Sequence, residues 1–213
     1  MEEKYYDQIR YDILELIPNY KNQNILEIGC GNGSTLGYLK RKGYAKITVG
    51  IESNLDCKNK SFKNNIDHFI SEDVENLEFK LKIKFNLILI LDVFEHLIHP
   101  WKVFNQFSNY LEKDGLFIVS IPNIRNLKVI NNLIFNGTWD YEESGIMDRT
   151  HLRYFTDKSF KKQLNNQNLN YSIINSKRNY DHMSLRKKWL KNFKLFEDFV
   201  TCQFLYLIKI NKN

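Results

Sequence analysis

The sequence predicts an α/β fold: a parallel sheet covered by helices on both faces, with one antiparallel strand added by the C-terminus. Three observations carry that expectation. Phe85–Leu91 (FNLILIL) is a nearly continuous apolar run, as expected for a central parallel strand buried on both faces. Between residues 24 and 121, strand-like runs alternate with helix-spaced segments, the rhythm of right-handed crossovers. Val200–Ile210 is a long terminal strand-like run, which suits antiparallel addition.

Taken in order, residues 4–17 put Tyr6, Ile9, Ile13 and Leu16 on one helical stripe that Pro18 stops. Asn24–Ile28 reads as a buried strand entering a glycine-rich turn, Ser34–Lys42 as a helix and Lys46–Ile51 as a second strand. Phe69 and Ile70 mark a short third strand, and Phe85–Leu91 is the fourth. Trp101, Phe104, Phe107 and Leu111 recur at helix spacing, and Asp114-Gly115 is expected to close that helix. Leu116–Ile121 is the fifth strand, broken by Pro122.

The last third changes character. Asn123–Thr156 carries aromatics and charges without clear periodicity and is expected to be a lid or substrate insertion within a single domain spanning 1–213. Leu169–Ile174 and Val200–Ile210 read as strands flanking a basic aromatic stretch. There Arg186, Lys187, Lys188, Lys191 and Lys194 interleave with Leu185, Trp189, Phe193 and Phe196. An amphipathic helix packing Trp189 inward is the expectation; a face laid on an anionic membrane is the alternative.

Bulk properties narrow the function classes. The 213 residues are 43% hydrophobic and 26% charged, ordinary for one soluble domain with a full core. The net charge of +6 is spread without a block of five or more like charges. A mildly basic solvated surface follows, which welcomes anionic small molecules such as nucleotide sugars, and nucleic acid is not the expected partner. Cys30, Cys57 and Cys202 are far apart and odd in number, suggesting neither a disulfide framework nor a zinc knuckle. The opening MEEKYYDQIR lacks an apolar leader, and the longest apolar run is far too short to span ~30 Å of hydrocarbon. A cytoplasmic protein without an integral membrane segment is expected.

Gly29, Gly31 and Gly33 form G-x-G-x-G directly between a strand and a helix. Glycines there let the backbone turn sharply and approach a ligand, and the following helix N-terminus offers free N–H donors. Glu52 closes the second strand 21 positions after Gly31, where an acid can accept bonds from both hydroxyls of a ribose. A dinucleotide fingerprint needs Gly or Ala at position 34, where Ser34 stands.

Ile25–Gly33 (ILEIGCGNG) resembles the first motif of class I S-adenosylmethionine-dependent methyltransferases. The resemblance spans roughly residues 20–160 and implies that family's Rossmann-like fold and S-adenosylmethionine as cofactor. It implies that Glu27 organises the loop, that Gly29 and Gly31 face the cofactor with Cys30 and Gly33 in the same turn, and that Glu52 takes the ribose. Asp73, in SEDVEN, matches the acid after the third strand that meets the adenine amino group, with Val74 beside it.

LDVFEHLIHP (Leu91–Pro100) follows the fourth strand, and strand carboxyl ends are where open α/β sheets place their chemistry. Asp92 is therefore expected near the transferable methyl or the methionine amino group. Together with MDRTHLRYFT (Met147–Thr156), this stretch resembles a bacterial methyltransferase group carrying D-V-x-E-H-L and D-R-T-H-L-R-x-F-T. That group accompanies polysaccharide-assembly and ubiquinone-type O-methylation genes, which implies an oxygen acceptor on a small molecule or sugar. A hydroxyl nucleophile benefits from a base, so His151 is expected to serve as one, with His96 and Glu95 shaping the pocket. The alternatives are that His96 only caps a helix and that His151 is a lid residue bonded to Asp148. This reading assigns no metal.

Asp92, Glu95 and His96 with a distant His151 also resemble the carboxylate–histidine site of small-RNA 3′-terminal 2′-O-methyltransferases, which hold a divalent metal. Asp rather than Glu at the first acid departs from that pattern. A non-catalytic binding module is a third possibility, against which the glycines, Glu52 and Asp73 speak. His68, His99 and His182 have no motif context and are expected to be structural or exposed.

Overall fold

The computed structural model describes residues 6–18, 21–61, 64–80, 82–167, 169–180 and 196–211. Seven strands form one sheet: β1 (Gln23–Ile28), β2 (Ala45–Ile51), β3 (His68–Ile70), β4 (Phe85–Leu91), β5 (Leu111–Pro122), β6 (Tyr171–Tyr180) and β7 (Thr201–Ile210). Their order across the sheet is β3-β2-β1-β4-β5-β7-β6. The first five run parallel, with Leu26 opposite Ile88 and Ile88 opposite Phe117. β7 then inserts antiparallel beside β5, with Tyr206 opposite Val119, and β6 pairs antiparallel on its outer side. The chain steps from β1 outward to β3, then reverses to lay β4 on the other side of β1. The carboxyl ends of β1 and β4 thus flank the switch point where open sheets leave a crevice.

From Leu87 onward strand β4 is buried on both faces, which is why its sequence reads as a nearly continuous apolar run. Ile88 and Ile90 join Phe104, Phe107 and Phe117 in one hydrophobic layer. Leu87 and Leu89 point the other way, against Leu36, Leu39 and Leu205. The helices that cover the parallel part are α1 (Ser34–Arg41), α2 (Asp56–Ser61) and α3 (Pro100–Ser108). Downstream come α4 (Leu127–Asn131), α5 (Asp157–Asn165) and α6 (Glu197–Val200). Thr156 caps α5 reciprocally with Ser159, and Phe160 from that helix stacks on Tyr206 at 4.7 Å between ring centroids.

Several elements differ from the sequence expectation. Among the described residues of 4–17 there is no continuous helix but an irregular strap with a short 3-10 turn, Tyr11–Ile13. Ile13, Leu16 and Ile17 are buried as the stripe predicts, yet tertiary bonds hold the backbone open: the Arg10 amide donates to Thr35 Oγ1 and the Tyr6 carbonyl accepts from the Asn32 amide. Helix α3 ends at Ser108, so Asp114-Gly115 lies inside β5 rather than closing the helix. A Cβ at Gly115 would lie 2.8 Å from the Phe85 carbonyl oxygen, so this glycine serves the close approach of two strands. β6 runs on to Tyr180, further than Ile174. The basic stretch with Trp189 lies outside the described residues. Among the described residues no helix is long and apolar enough to cross a membrane.

Candidate active site

Strand β1 delivers Glu27 and then the glycine turn, whose path is fixed by backbone bonds from the Gly29 and Cys30 amides to the Ile51 carbonyl at 2.8 and 3.1 Å. Gly29 and Gly31 both have left-handed backbones, φ 71° and 51°. A Cβ at Gly29 would stand 2.4 Å from Val93 Cγ2, and one at Gly31 would stand 2.9 Å from the Tyr6 carbonyl oxygen. Neither position accommodates an L side chain. Gly33 closes the turn at the start of α1.

Glu52, at the end of β2, spans this turn: one carboxylate oxygen accepts from the Gly31 amide at 3.0 Å and the other from the Asn54 amide at 2.9 Å. Glu27 is buried, its Oε2 has no hydrogen-bond partner, and burial pushes its carboxyl up to about 8 against the opposing pull of Arg10. Cys30 is buried in the same turn, and burial pushes its thiol up. Asp73 is exposed after β3, with its oxygens engaged by the Glu75 amide and Asn76 Nδ2, both at 2.9 Å, while Val74 is buried beside it.

Asp92 directly follows β4 with φ 54°, a strained conformation held by a dense set of bonds. Arg10 Nη1 donates to it at 2.7 Å, Ser120 Oγ at 2.9 Å, and Gln203 Nε2 reaches both oxygens at 2.6 and 2.8 Å. Arg10 itself forks onto Asp12. The sequence pattern singled out Asp92 but missed Arg10, Ser120 and Gln203, because they come from the strap, β5 and β7 and carry no local signal.

Three residues later the chain makes a 3-10 turn, Phe94–His96, that buries Glu95 to 1% exposure with Oε2 unpartnered. Burial pushes the Glu95 carboxyl up, and Asp92 adds to it. The segment predicted as a lid folds back on this turn: the Leu152 and Arg153 amides donate to the Glu95 carbonyl at 2.7 and 2.9 Å. That places His151 against Glu95, with Nε2 to Oε1 3.9 Å, and against His96, with ring centroids 4.8 Å apart. Burial and His96 both push the His151 imidazole below its ordinary value, favouring the neutral ring. Its Nδ1 meets the Ile146 carbonyl at 3.0 Å rather than the Asp148 side chain. The neck of the segment is closed by a bridge between Asn123 and Phe155, while Leu133, Ile134, Phe135, Trp139 and Tyr141 stand exposed along its outer part. His68 and His99 are exposed, and His182 lies outside the described residues.

A family model described as a methyltransferase domain matches residues 1–172. The chain belongs to that family, and it is an S-adenosylmethionine-dependent methyltransferase with S-adenosylmethionine as its cofactor. Among solved structures it resembles the plantazolicin methyltransferase BamL, solved with a triazolic desmethylPZN analogue and S-adenosylhomocysteine. The TM-score is 0.62 and the identity 18%, over 91% of this chain and 79% of that one. A methyltransferase of Mesorhizobium loti matches at TM-score 0.65 and 10% identity, over 93% of this chain and 95% of that one. These likenesses show the class I methyltransferase fold. An N-methyltransferase 4 of Papaver somniferum is 26% identical over 103 residues, which is 45% of this chain but only 29% of that protein.

The residues at the glycine turn fit the cofactor. The glycines let the turn pass tightly against Val93 and Tyr6 where a Cβ would clash, and the orphaned Glu27 Oε2 is a buried polar atom that an ammonium or an ordered water would satisfy.

Proposed function

We propose that the chain methylates a hydroxyl oxygen of a small molecule or sugar. The observation that carries this reading is the histidine pair on Glu95 beside the end of β4. His151 donates Nδ1–H to the Ile146 carbonyl, which can only accept, so its Nε2 lone pair is bare. A hydroxyl is a poor nucleophile until its proton is drawn off, and a neutral imidazole supplies that help near neutral pH.

On the cofactor side, Glu52 would accept from the ribose hydroxyls, Asp73 and Val74 would line the adenine, and Glu27 with Asp92 would order the methionine end. When bound, S-adenosylmethionine supplies a methyl group that is electrophilic because it sits on a sulfonium. In-line alignment by the turn and by the residues after β4 supplies most of the acceleration. His151 Nε2 would take up the hydroxyl proton as the acceptor oxygen is methylated, with His96 and Glu95 shaping the pocket. Segment 123–156 supplies the acceptor's contacts as a lid within a single domain.

The test is a screen of nucleotide sugars and phenolic acceptors with radiolabelled cofactor, the methylated atom being located by NMR. Methyl transfer only to nitrogen would overturn the oxygen reading. A second reading, methylation of the 2′-hydroxyl at an RNA 3′ terminus, draws support from the gathering of Glu95, His96 and His151. Label transfer to a short RNA, lost on periodate cleavage of its terminal diol, would establish it.

A further inference from the structure

The proton positions around Glu95 can be worked out from its neighbours. Thr150 Oγ1 donates its only proton to Asp148 at 2.6 Å, so it can only accept from His96 Nδ1, 3.0 Å away. The Thr150 carbonyl, 3.3 Å from the same nitrogen, is likewise an acceptor. His96 therefore carries its proton on Nδ1, and so does His151, whose Nδ1 faces the Ile146 carbonyl. Both rings turn a bare Nε2 away from these anchors, and Glu95 brings a buried carboxyl that becomes a third ligand once its proton is displaced. The 3.9 Å from His151 Nε2 to Glu95 Oε1 is too long for a hydrogen bond, and Glu95 Oε2 is buried without any partner. Three potential ligand groups thus meet with no hydrogen bond between them, each offering an atom within 4.8 Å of the others.

We infer that Glu95, His96 and His151 form a binding site for a divalent first-row transition ion such as zinc or manganese. Imidazole and carboxylate suit these ions, and two histidines with one carboxylate leave coordination positions open. The Nδ1 bonds to backbone and threonine oxygens are the outer contacts by which metal-ligating histidines are held in one tautomer. Donor atoms each ~2.1 Å from one ion lie at most ~4.2 Å apart, so a small rotation of the half-buried His96 closes the set. The ion's place follows from these side chains alone; its role rests on the methyl-transfer reading. Next to Asp92, the open positions suit an acceptor that presents a hydroxyl beside a second oxygen. In the loaded protein His151 is a ligand, and the ion's charge takes over the lowering of the hydroxyl's proton affinity.

The experiment uses the full chain carrying no histidine tag, stripped with chelator and titrated with cobalt(II), with visible absorption and S-adenosylhomocysteine calorimetry in parallel. A saturable cobalt d–d band at about one equivalent is expected. His151→Ala and Glu95→Gln should weaken cobalt binding at least ~10-fold, in line with loss of a ligand, while still binding S-adenosylhomocysteine. If buried Glu95 does not tolerate change, His96→Gln on the half-buried ring gives the same readout. No band in a protein that binds S-adenosylhomocysteine, or an equal band in the variants, overturns the site and leaves the methyltransferase reading standing. A band that depends on these residues without cofactor binding does the reverse.

Discussion

Arg10 and Asp92 meet at 2.7 Å across 82 positions of sequence, fastening the strap to the carboxyl end of β4. Their side chains are 14% and 29% exposed, so each charge depends on the other. Breaking a fully buried pair costs ~3–5 kcal/mol, and the exposure here lowers that figure to about 2 kcal/mol for Arg10→Ala. Urea unfolding checks it: an unchanged midpoint would show that Ser120 and Gln203 suffice to hold Asp92.

Glu52→Ala removes the acceptor that bridges the glycine turn and, in our reading, the ribose contact. Affinity for S-adenosylhomocysteine should fall by about 1.5–3 kcal/mol, the usual loss for hydrogen bonds to a charged group. Calorimetry on the folded variant measures this, and unaltered affinity removes Glu52 from the ribose site.

His151→Ala should lower turnover ~10²-fold or more while leaving S-adenosylhomocysteine affinity in place. Because His151 is pushed down by burial and by His96, its neutral form persists below the ordinary pKa of about 6.5. The acid limb of kcat in the metal-stripped wild type should therefore have a midpoint below that value and level off above it. A variant rate equal to wild type at neutral and at high pH would reject the assignment.

Glu27 gives stability a distinctive pH dependence. Its carboxyl is raised from 4.5 to about 8 in the folded chain, so the folded state keeps a proton that the unfolded state releases. Stability is then fully present below about pH 4.5 and is lost progressively as pH rises through about 8, for the protein without cofactor. Glu27→Gln should flatten that slope, seen as a smaller difference between denaturation midpoints at pH 5 and pH 8. Parallel curves for the two proteins would assign the slope to other groups.

Legibility in the sequence follows how local each interaction is. Phe85–Leu91 is readable because burial on both faces from Leu87 onward writes itself as a nearly continuous apolar run. Gly29, Gly31 and Glu52 are readable because the turn and its bridging acid belong to consecutive elements of one crossover. The strap was misread: Ile13 and Leu16 are buried at helical spacing, but the bonds of Arg10 to Asp92, Asp12 and Thr35 decide its backbone. At Gly115 a helix-stop signal has the opposite meaning, since contact with Phe85 on a neighbouring strand required the glycine. Glu95, His96 and His151 were each visible as motif residues. Their convergence depends on the Leu152 and Arg153 amides reaching the Glu95 carbonyl, which no spacing encodes.

The bridge between Asn123 and Phe155 brings the two ends of segment 123–156 side by side, and the Leu152 and Arg153 amides anchor its return to the turn after β4. A loop joined at its neck is a transplantable cassette. Residues 133–141, which lie beyond the backbone bonds of Glu142 to Met147 and Arg149, should accept changes of length while the histidines and the sheet keep their places. On our proposal that this segment contacts the acceptor, variation in which molecule is methylated can accumulate at Phe135, Trp139 and their neighbours, uncoupled from the inheritance of the chemistry.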